Sequence, residues 1–262
     1  MTLRQWALAL FLACAQALAH AQIDQQVITL NTRAGVTMKV LWLKTEAAKA
    51  TVVLFAGGHG GLRLFANGSM QWGDQNFLVR TKELFAKQGV NVAVVDAPSD
   101  RQRPPFLSGF RHSAEHAQDV RVLVDALIQQ SPVPVWLVGT SRGTESAASV
   151  GIRLQDHPHI KGLVLTASIL VSQDGTAVPE QPLKTYPGSV LVVHHTQDSC
   201  RVTRYADLPK LRAQLNPLAP HAVLTYAEGI SQGDPCQALA HHGFNGIEPQ
   251  VVSDMVAWML KH

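Results

Sequence analysis

The chain has 262 residues, of which 46% are hydrophobic and 16% charged, so it is long enough to bury a large core. This balance excludes a disordered or fibrous chain. The 22 basic and 19 acidic residues are scattered, and no basic run carries the interleaved aromatic residues of a nucleic-acid surface, which argues against a nucleic-acid partner.

The first 21 residues have the pattern of a signal peptide. An apolar stretch of roughly fourteen residues, shorter than the ~20 of a membrane-spanning helix, precedes Ala19-His20-Ala21, a small-x-small cleavage pattern. A membrane anchor and a lipoprotein processed at Cys14 are the alternatives. We expect residues 22–262 to be exported, periplasmic or secreted, without stable membrane insertion once the signal is cleaved.

Past residue 22, runs rich in Val, Ile and Leu alternate with segments of helical period, which predicts an α/β fold with helices on both faces of a mostly parallel eight-stranded sheet. The first two strands flank a short turn and predict an antiparallel hairpin, whereas the other six are separated by parallel crossovers. We expect one domain, residues 22–262. The predicted strands are 26–32, 36–43, 51–56, 91–96, 133–138, 161–167, 189–194 and 222–227, and the predicted helices are 75–88, 112–129, 142–155, 204–215 and 249–260.

A glycine cluster, Gly57-Gly58-His59-Gly60-Gly61, follows the third predicted strand. Glycines let a backbone approach a reacting group closely. The cluster lacks the lysine of a phosphate-binding P-loop and the spacing of a dinucleotide-binding fingerprint. We therefore expect it to line a substrate site, with the His59 side chain as a candidate substrate contact.

The fifth predicted strand runs directly into Gly139-Thr140-Ser141-Arg142-Gly143, and a helix of small residues follows. This G-x-S-x-G pattern between a strand and a helix is typical of a strained turn that exposes a nucleophilic serine. Ser141 is the candidate nucleophile. The backbone N–H of Arg142, at the helix N-terminus, is a candidate oxyanion donor. The alternative is a glycine-rich turn that only reverses the chain.

Asp198 follows the seventh predicted strand and is the candidate acid. A carboxylate at that place can orient an imidazole and stabilise the imidazolium that forms when a serine loses its proton. A loop-capping role for Asp198 is one alternative. Asp174, after the preceding strand, is the other candidate acid.

The candidate base is His242, which lies after the last strand and before the last helix. We prefer it to its neighbour His241 because Gly243 and Phe244 can fix the loop against the core.

No metal site or cofactor is expected. The adjacent His194 and His195 lie on a strand and point to opposite faces, so they do not form a metal site.

Removing the signal peptide removes Cys14 and leaves two cysteines, Cys200 and Cys236. In an oxidising compartment an even pair predicts a disulfide. This bond would tie the loop of Asp198 to the loop of His242.

These motifs resemble those of the α/β-hydrolase superfamily, in particular its small esterase-like and dienelactone-hydrolase-like members. The order Ser141, Asp198, His242 matches the superfamily's nucleophile, acid and base. The resemblance covers residues 22–262 and implies the α/β-hydrolase fold. It also implies a serine hydrolase that cleaves a small-molecule acyl substrate through an acyl-enzyme, with a second oxyanion N–H from the glycine cluster. Gly58 is the first choice for that donor and His59 the second.

Other functions fit the same fold. A catalytically idle protein used for binding is one alternative, because a fold does not fix a function. An acyltransferase or a peptidase could use the same triad. The interval 168–188 is too short for a cap domain, so we expect an open site for small or medium substrates.

Overall fold

The computed structural model describes residues 23–171 and 177–262 of the chain. The predicted signal peptide and the alternative acid Asp174 lie outside these residues. Within the described ranges, no helix has both the length and the apolar character needed to cross a membrane.

The eight strands form one sheet in the order β1-β2-β4-β3-β5-β6-β7-β8. Strand β2 is antiparallel to β1 and β4, and every other neighbouring pair is parallel. The predicted fold class, with its antiparallel hairpin and six parallel strands, is confirmed. The strands are β1 (Asp24–Arg33), β2 (Val36–Lys44), β3 (Thr51–Phe55), β4 (Asn91–Val95), β5 (Val135–Thr140), β6 (Ile160–Thr166), β7 (Ser189–His195) and β8 (His221–Tyr226).

Burial explains why the central strands are so apolar. Every residue of β3, β4, β5 and β7 is buried, because helices cover both faces of the sheet. The edge strands β1 and β8 are partly exposed and carry more polar residues.

The helices form a layer on each face of the sheet. One core cluster joins the sheet to α3, α4 and α5, and the other joins it to α1, α2 and α6. The helices are α1 (Phe77–Arg80), α2 (Lys82–Lys87), α3 (Ala114–Gln130), α4 (Gly143–Arg153), α5 (Leu208–Arg212) and α6 (Glu248–Lys261).

The predicted helix 75–88 is in fact two short helices, which separate at Thr81. The Thr81 hydroxyl donates a hydrogen bond of 2.7 Å to the carbonyl of Phe77, one turn back. A threonine that bonds its own helix in this way bends it. The predicted helix 204–215 is likewise shorter, a 3-10 turn over Tyr205–Asp207 followed by α5. Hydrophobic period alone does not report such breaks.

The loops that follow β3, β5, β6 and β7 meet at the carboxyl edge of the sheet, where open α/β sheets bind their ligands. Between β6 and β7 the described residues include two 3-10 turns, Val178–Glu180 and Leu183–Thr185. Each candidate catalytic residue lies on this edge or on the loop that precedes α6.

Candidate active site

A cavity of about 530 Å³ opens at the carboxyl ends of the central strands. Two predicted site residues lie close to it without lining it: Asp198 is bonded to His242, and His59 stacks on Trp72, a residue of the cavity wall. The predicted site residues that line the cavity are Gly58, Ser141, Arg142, His242, Cys200 and Cys236.

Ser141 lies on a strained turn between β5 and α4. Its φ of 52° is in the left-handed region, which a residue with a side chain rarely adopts. A side chain at Gly139 would collide with the carbonyl of Gly143, and one at Gly143 would collide with the carbonyl of Phe55. The backbone N–H of Ser141 donates to the carbonyl of Thr166 over 3.0 Å. Both glycines of the motif are therefore required by close packing around the serine.

Asp198 and His242 form a buried pair. Oδ2 of Asp198 lies 3.0 Å from Nδ1 of His242, and the carboxylate side chain is fully buried. The same Oδ2 accepts a hydrogen bond of 2.9 Å from the hydroxyl of Thr203, while Oδ1 accepts the backbone N–H of Cys200 over 3.0 Å. A carboxylate held in this way fixes the imidazole with its Nδ1 towards Asp198 and leaves Nε2 for proton transfer.

The base loop is shaped by tight packing. His242 lies in a 3-10 turn, His241–Gly243, where a side chain on Gly243 would collide with the carbonyl of Ala238. Phe244 follows with a φ of 55°. The neighbouring His241 is not bonded to Asp198 but stacks on His195, with ring centroids 4.3 Å apart. Of the two candidate bases, His242 is the one that meets the acid.

Arg80 joins three parts of the site. Its guanidinium donates to the carbonyl of Gly243 and to the carbonyl of Gln75, each over 2.7 Å. It also pairs with Glu248 at the start of α6, with N–O distances of 2.9 and 3.1 Å. One side chain thus connects the loop before α1 to the base loop.

Arg111 supports the backbone of the glycine cluster. It is buried, and its Nη2 donates to the carbonyls of Gly58 and Ala56 over 3.1 and 3.4 Å, while Nη1 donates to the Ser146 hydroxyl over 2.8 Å. Desolvation lowers the pKa of Arg111 to about 10, which leaves the side chain charged at neutral pH. Within the described residues, the N–H of Gly58 donates to no backbone carbonyl. The carbonyl of Gly58 is therefore held, while no backbone carbonyl of the described residues accepts its N–H.

His59 lies in a stack of rings. Its centroid is 3.8 Å from that of Trp72 and 4.1 Å from that of Phe106. Burial lowers the pKa of His59, and the charges of Arg111 and Arg63 lower it further, which favours the neutral imidazole. Trp72 is 37% exposed and lines the cavity, whereas His59 does not.

The predicted disulfide is present between Cys200 and Cys236, whose Cα atoms are 4.6 Å apart. It joins the loop that follows Asp198 to the segment that precedes His242. Both cysteines line the cavity. The bond therefore lies in the wall of the site.

The two histidines at the end of β7 do not meet at a common site. His194 bonds the carbonyl of Thr203, and His195 bonds the carbonyl of Glu228. Across residues 23–171 and 177–262, no group of three or more His, Cys, Asp or Glu side chains has an arrangement that could hold a metal ion.

Sequence reasoning missed three supporting residues, Arg80, Arg111 and Thr203. None belongs to a short motif, and each contacts a partner that is distant along the chain: Gly243 for Arg80, Gly58 for Arg111 and His242 for Thr203. Only the folded arrangement identifies them.

Comparisons with known proteins place the fold. No family model matches the chain, and no curated protein matches its sequence. Among solved structures, the chain is similar to a dienelactone hydrolase from Anabaena variabilis, with a TM-score of 0.63, 12% identity, and coverage of 90% of this chain and 95% of that one.

Two further structures show the same likeness. An esterase of Pyrococcus furiosus has a TM-score of 0.61 and 13% identity, over 94% of this chain and 96% of that one. An α/β serine hydrolase homologue from Coxiella burnetii has a TM-score of 0.60 and 14% identity, over 91% and 99%. The chain has the α/β-hydrolase fold, as the sequence motifs predicted.

Proposed function

We propose that this protein is a serine hydrolase that cleaves an ester or a related acyl bond of a small-molecule substrate. The observation that carries the proposal is the buried pair of Asp198 and His242, in which His242 lines the same cavity as Ser141 on its strained turn. Fold alone does not fix an activity, so the proposal rests on this arrangement of side chains.

The proposed mechanism gives each of these residues one role. Nε2 of His242 accepts the Ser141 hydroxyl proton as Oγ attacks the acyl carbon, and Asp198 stabilises the imidazolium that results. The backbone N–H groups of Gly58 and Arg142 donate to the tetrahedral oxyanion. His242 then returns the proton to the leaving group, and water hydrolyses the acyl-enzyme in a second cycle of the same steps.

The cavity supports a small or medium substrate. Its volume of about 530 Å³ is in the range of small-molecule sites. We assign the aromatic contact with the substrate, first expected of the His59 imidazole, to the indole ring of Trp72, because that ring lies in the cavity wall. His59, the residue first expected to touch the substrate, would then act through its ring contact with the indole.

The disulfide supports an oxidising compartment, periplasmic or extracellular, since such bonds persist there and are rare in the cytosol. Cleavage of a signal peptide after residue 21 remains a prediction. N-terminal sequencing of the exported protein tests it.

The function is tested by assaying the protein of residues 22–262 for hydrolysis of acyl esters, thioesters, lactones and peptides. The Ser141→Ala variant is the negative control. We expect the wild type to hydrolyse at least one class and Ser141→Ala to lose activity by ~10⁴-fold or more while it stays folded. Hydrolysis of peptides alone would favour a peptidase. No turnover by the wild type, or equal turnover by both proteins, would contradict the proposal.

A further inference from the structure

Asn76 lies beside the candidate nucleophile. It lines the cavity, at the end of the loop that leads into α1. The position that a Cβ on Gly57 would occupy is 3.2 Å from Nδ2 of Asn76 and 3.0 Å from Cβ of Ser141. The carboxamide and the serine therefore flank the same glycine, next to Gly58.

The usual reason for an asparagine at this position does not apply. Asn76 is the N-cap residue of α1, where an asparagine side chain ordinarily accepts a hydrogen bond from an N–H of the first turn. Its side chain makes no capping bond. The backbone of Asn76 makes the local contacts instead, donating to Gly73 and accepting from Arg80, each over 2.9 Å.

The carbonyl oxygen of the Asn76 side chain is unsatisfied among the described residues. This atom, Oδ1, is buried and has no hydrogen-bond partner among them. A buried polar group without a partner costs free energy, and such groups are rare enough in folded proteins to require an explanation. Capping does not provide one here. Oδ1 is an acceptor and cannot itself bind an oxyanion, but with Oδ1 buried the donor Nδ2 is the end of the carboxamide that lies beside Gly57 and Ser141.

The loop that carries Asn76 is held in place. The Arg80 guanidinium donates to the carbonyl of Gln75, the preceding residue, and to the carbonyl of Gly243 in the base loop. Asn76 and His242 are thus positioned by the same side chain. A donor that is fixed before the reaction needs no reorganisation when charge develops, which is the condition for strong transition-state stabilisation.

We propose that Asn76 is a catalytic residue whose Nδ2–H donates a hydrogen bond to the oxyanion, together with the N–H groups of Gly58 and Arg142. The inference rests on the proposed function. A carboxamide N–H stabilises the charged oxygen of the tetrahedral intermediate more than the neutral carbonyl of the bound substrate. Its loss therefore lowers kcat and leaves KM nearly unchanged.

The test compares Asn76→Ala and Asn76→Asp with the wild type, and uses Asn67→Ala as the matched control. Asn67 is an exposed asparagine of the same connection, outside the cavity. The readouts are kcat, KM and the inhibition constant of a trifluoromethyl ketone, which forms a tetrahedral adduct with an active serine. Active-site titration corrects each rate for the folded fraction.

Both Asn76 variants should lose kcat by about 10- to 100-fold, with KM within about twofold, and the affinity for the ketone should fall by the same factor as kcat/KM. Asn67→Ala should match the wild type. An unchanged kcat, or a higher KM at constant kcat, would overturn the assignment. If the wild type neither turns over esters nor binds the ketone, the proposed function itself fails. If the wild type is active and Asn76→Ala is equally active, only the catalytic role of Asn76 is refuted, and the proposed function stands.

Discussion

Arg80 donates a hydrogen bond of 2.7 Å from Nη2 to the carbonyl of Gly243, the residue that follows the candidate base His242. The two partners are far apart in sequence, one in α1 and the other in the turn before α6. The same guanidinium bonds the carbonyl of Gln75 and the carboxylate of Glu248. The base loop is thus held by Arg80 at Gly243 as well as by Asp198 at His242.

Replacing Arg80 with methionine keeps the apolar stem and removes every N–H donor. We expect kcat/KM to fall by ~10-fold or more, because the base loop loses its anchor, and the free energy of unfolding to fall by about 1–3 kcal/mol. Steady-state kinetics and urea unfolding measure the two effects. Arg121→Met is the control, since Arg121 makes an exposed pair with Asp156 at 3.4 Å. Equal effects of the two substitutions would argue against a specific role for Arg80.

Thr203 is predicted to tune the acid and base pair. Its hydroxyl lies 2.9 Å from Oδ2 of Asp198 and 3.1 Å from Nδ1 of His242. Thr203→Val preserves the shape of the side chain and leaves Asp198 one hydrogen bond short, so we expect kcat/KM to fall by ~10-fold. Thr203→Ser keeps the hydroxyl and should remain close to the wild type in the same assay. A valine variant as active as the serine variant would show that the hydroxyl is dispensable.

The disulfide between Cys200 and Cys236 should contribute to both stability and activity. Its sequence separation of 36 residues corresponds to about 3–4 kcal/mol of chain-entropy stabilisation. The double variant Cys200→Ser, Cys236→Ser should lose about that much in urea unfolding. It should also lose activity, because the N–H of Cys200 bonds Asp198. Reduction of the wild type with dithiothreitol should give the same losses, and a reduced protein of unchanged stability would contradict the prediction.

His116 makes the stability depend on pH. It is buried between Phe55 and Phe110, neither ring nitrogen has a partner among the described residues, and desolvation lowers its pKa to about 3. Below pH 6.5 the unfolded chain takes up a proton that the folded protein excludes. The stabilisation is therefore complete above pH 6.5 and is lost progressively as the pH falls towards 3.

Between pH 7.5 and pH 5 this histidine alone should cost about 2 kcal/mol of unfolding free energy. Over the same pH interval, the unfolding free energy of His116→Leu, measured by urea unfolding, should therefore fall by about 2 kcal/mol less than that of the wild type. His221→Leu, at an exposed histidine, should keep the wild-type dependence. A pH dependence that His116→Leu leaves unaltered would contradict the assignment.

Local sequence patterns predict most of this fold. The central strands are buried on both faces, so they appear as uninterrupted apolar runs, and the bounds of β3, β4 and β7 agree with prediction to within a residue. The break at Thr81 was not predicted, because it depends on which carbonyl a hydroxyl bonds. A hydrophobic period does not carry that information.

The same distinction applies to the candidate site. Ser141 is marked by a short motif whose glycines are required by local packing, and the disulfide was predicted from the cysteine count and the expected compartment. No short sequence motif identifies Arg80, Thr203 or Asn76. The roles proposed for them rest on contacts between segments that are distant along the chain, and these contacts become visible only in three dimensions.

The central claim is that Ser141 is an activated nucleophile, and covalent labelling by a fluorophosphonate tests it most directly. Intact mass and peptide mapping after labelling should find one adduct, on Ser141, absent from Ser141→Ala and formed much more slowly in His242→Gln. A wild-type protein that remains unmodified, or an adduct on any other residue, would contradict the account.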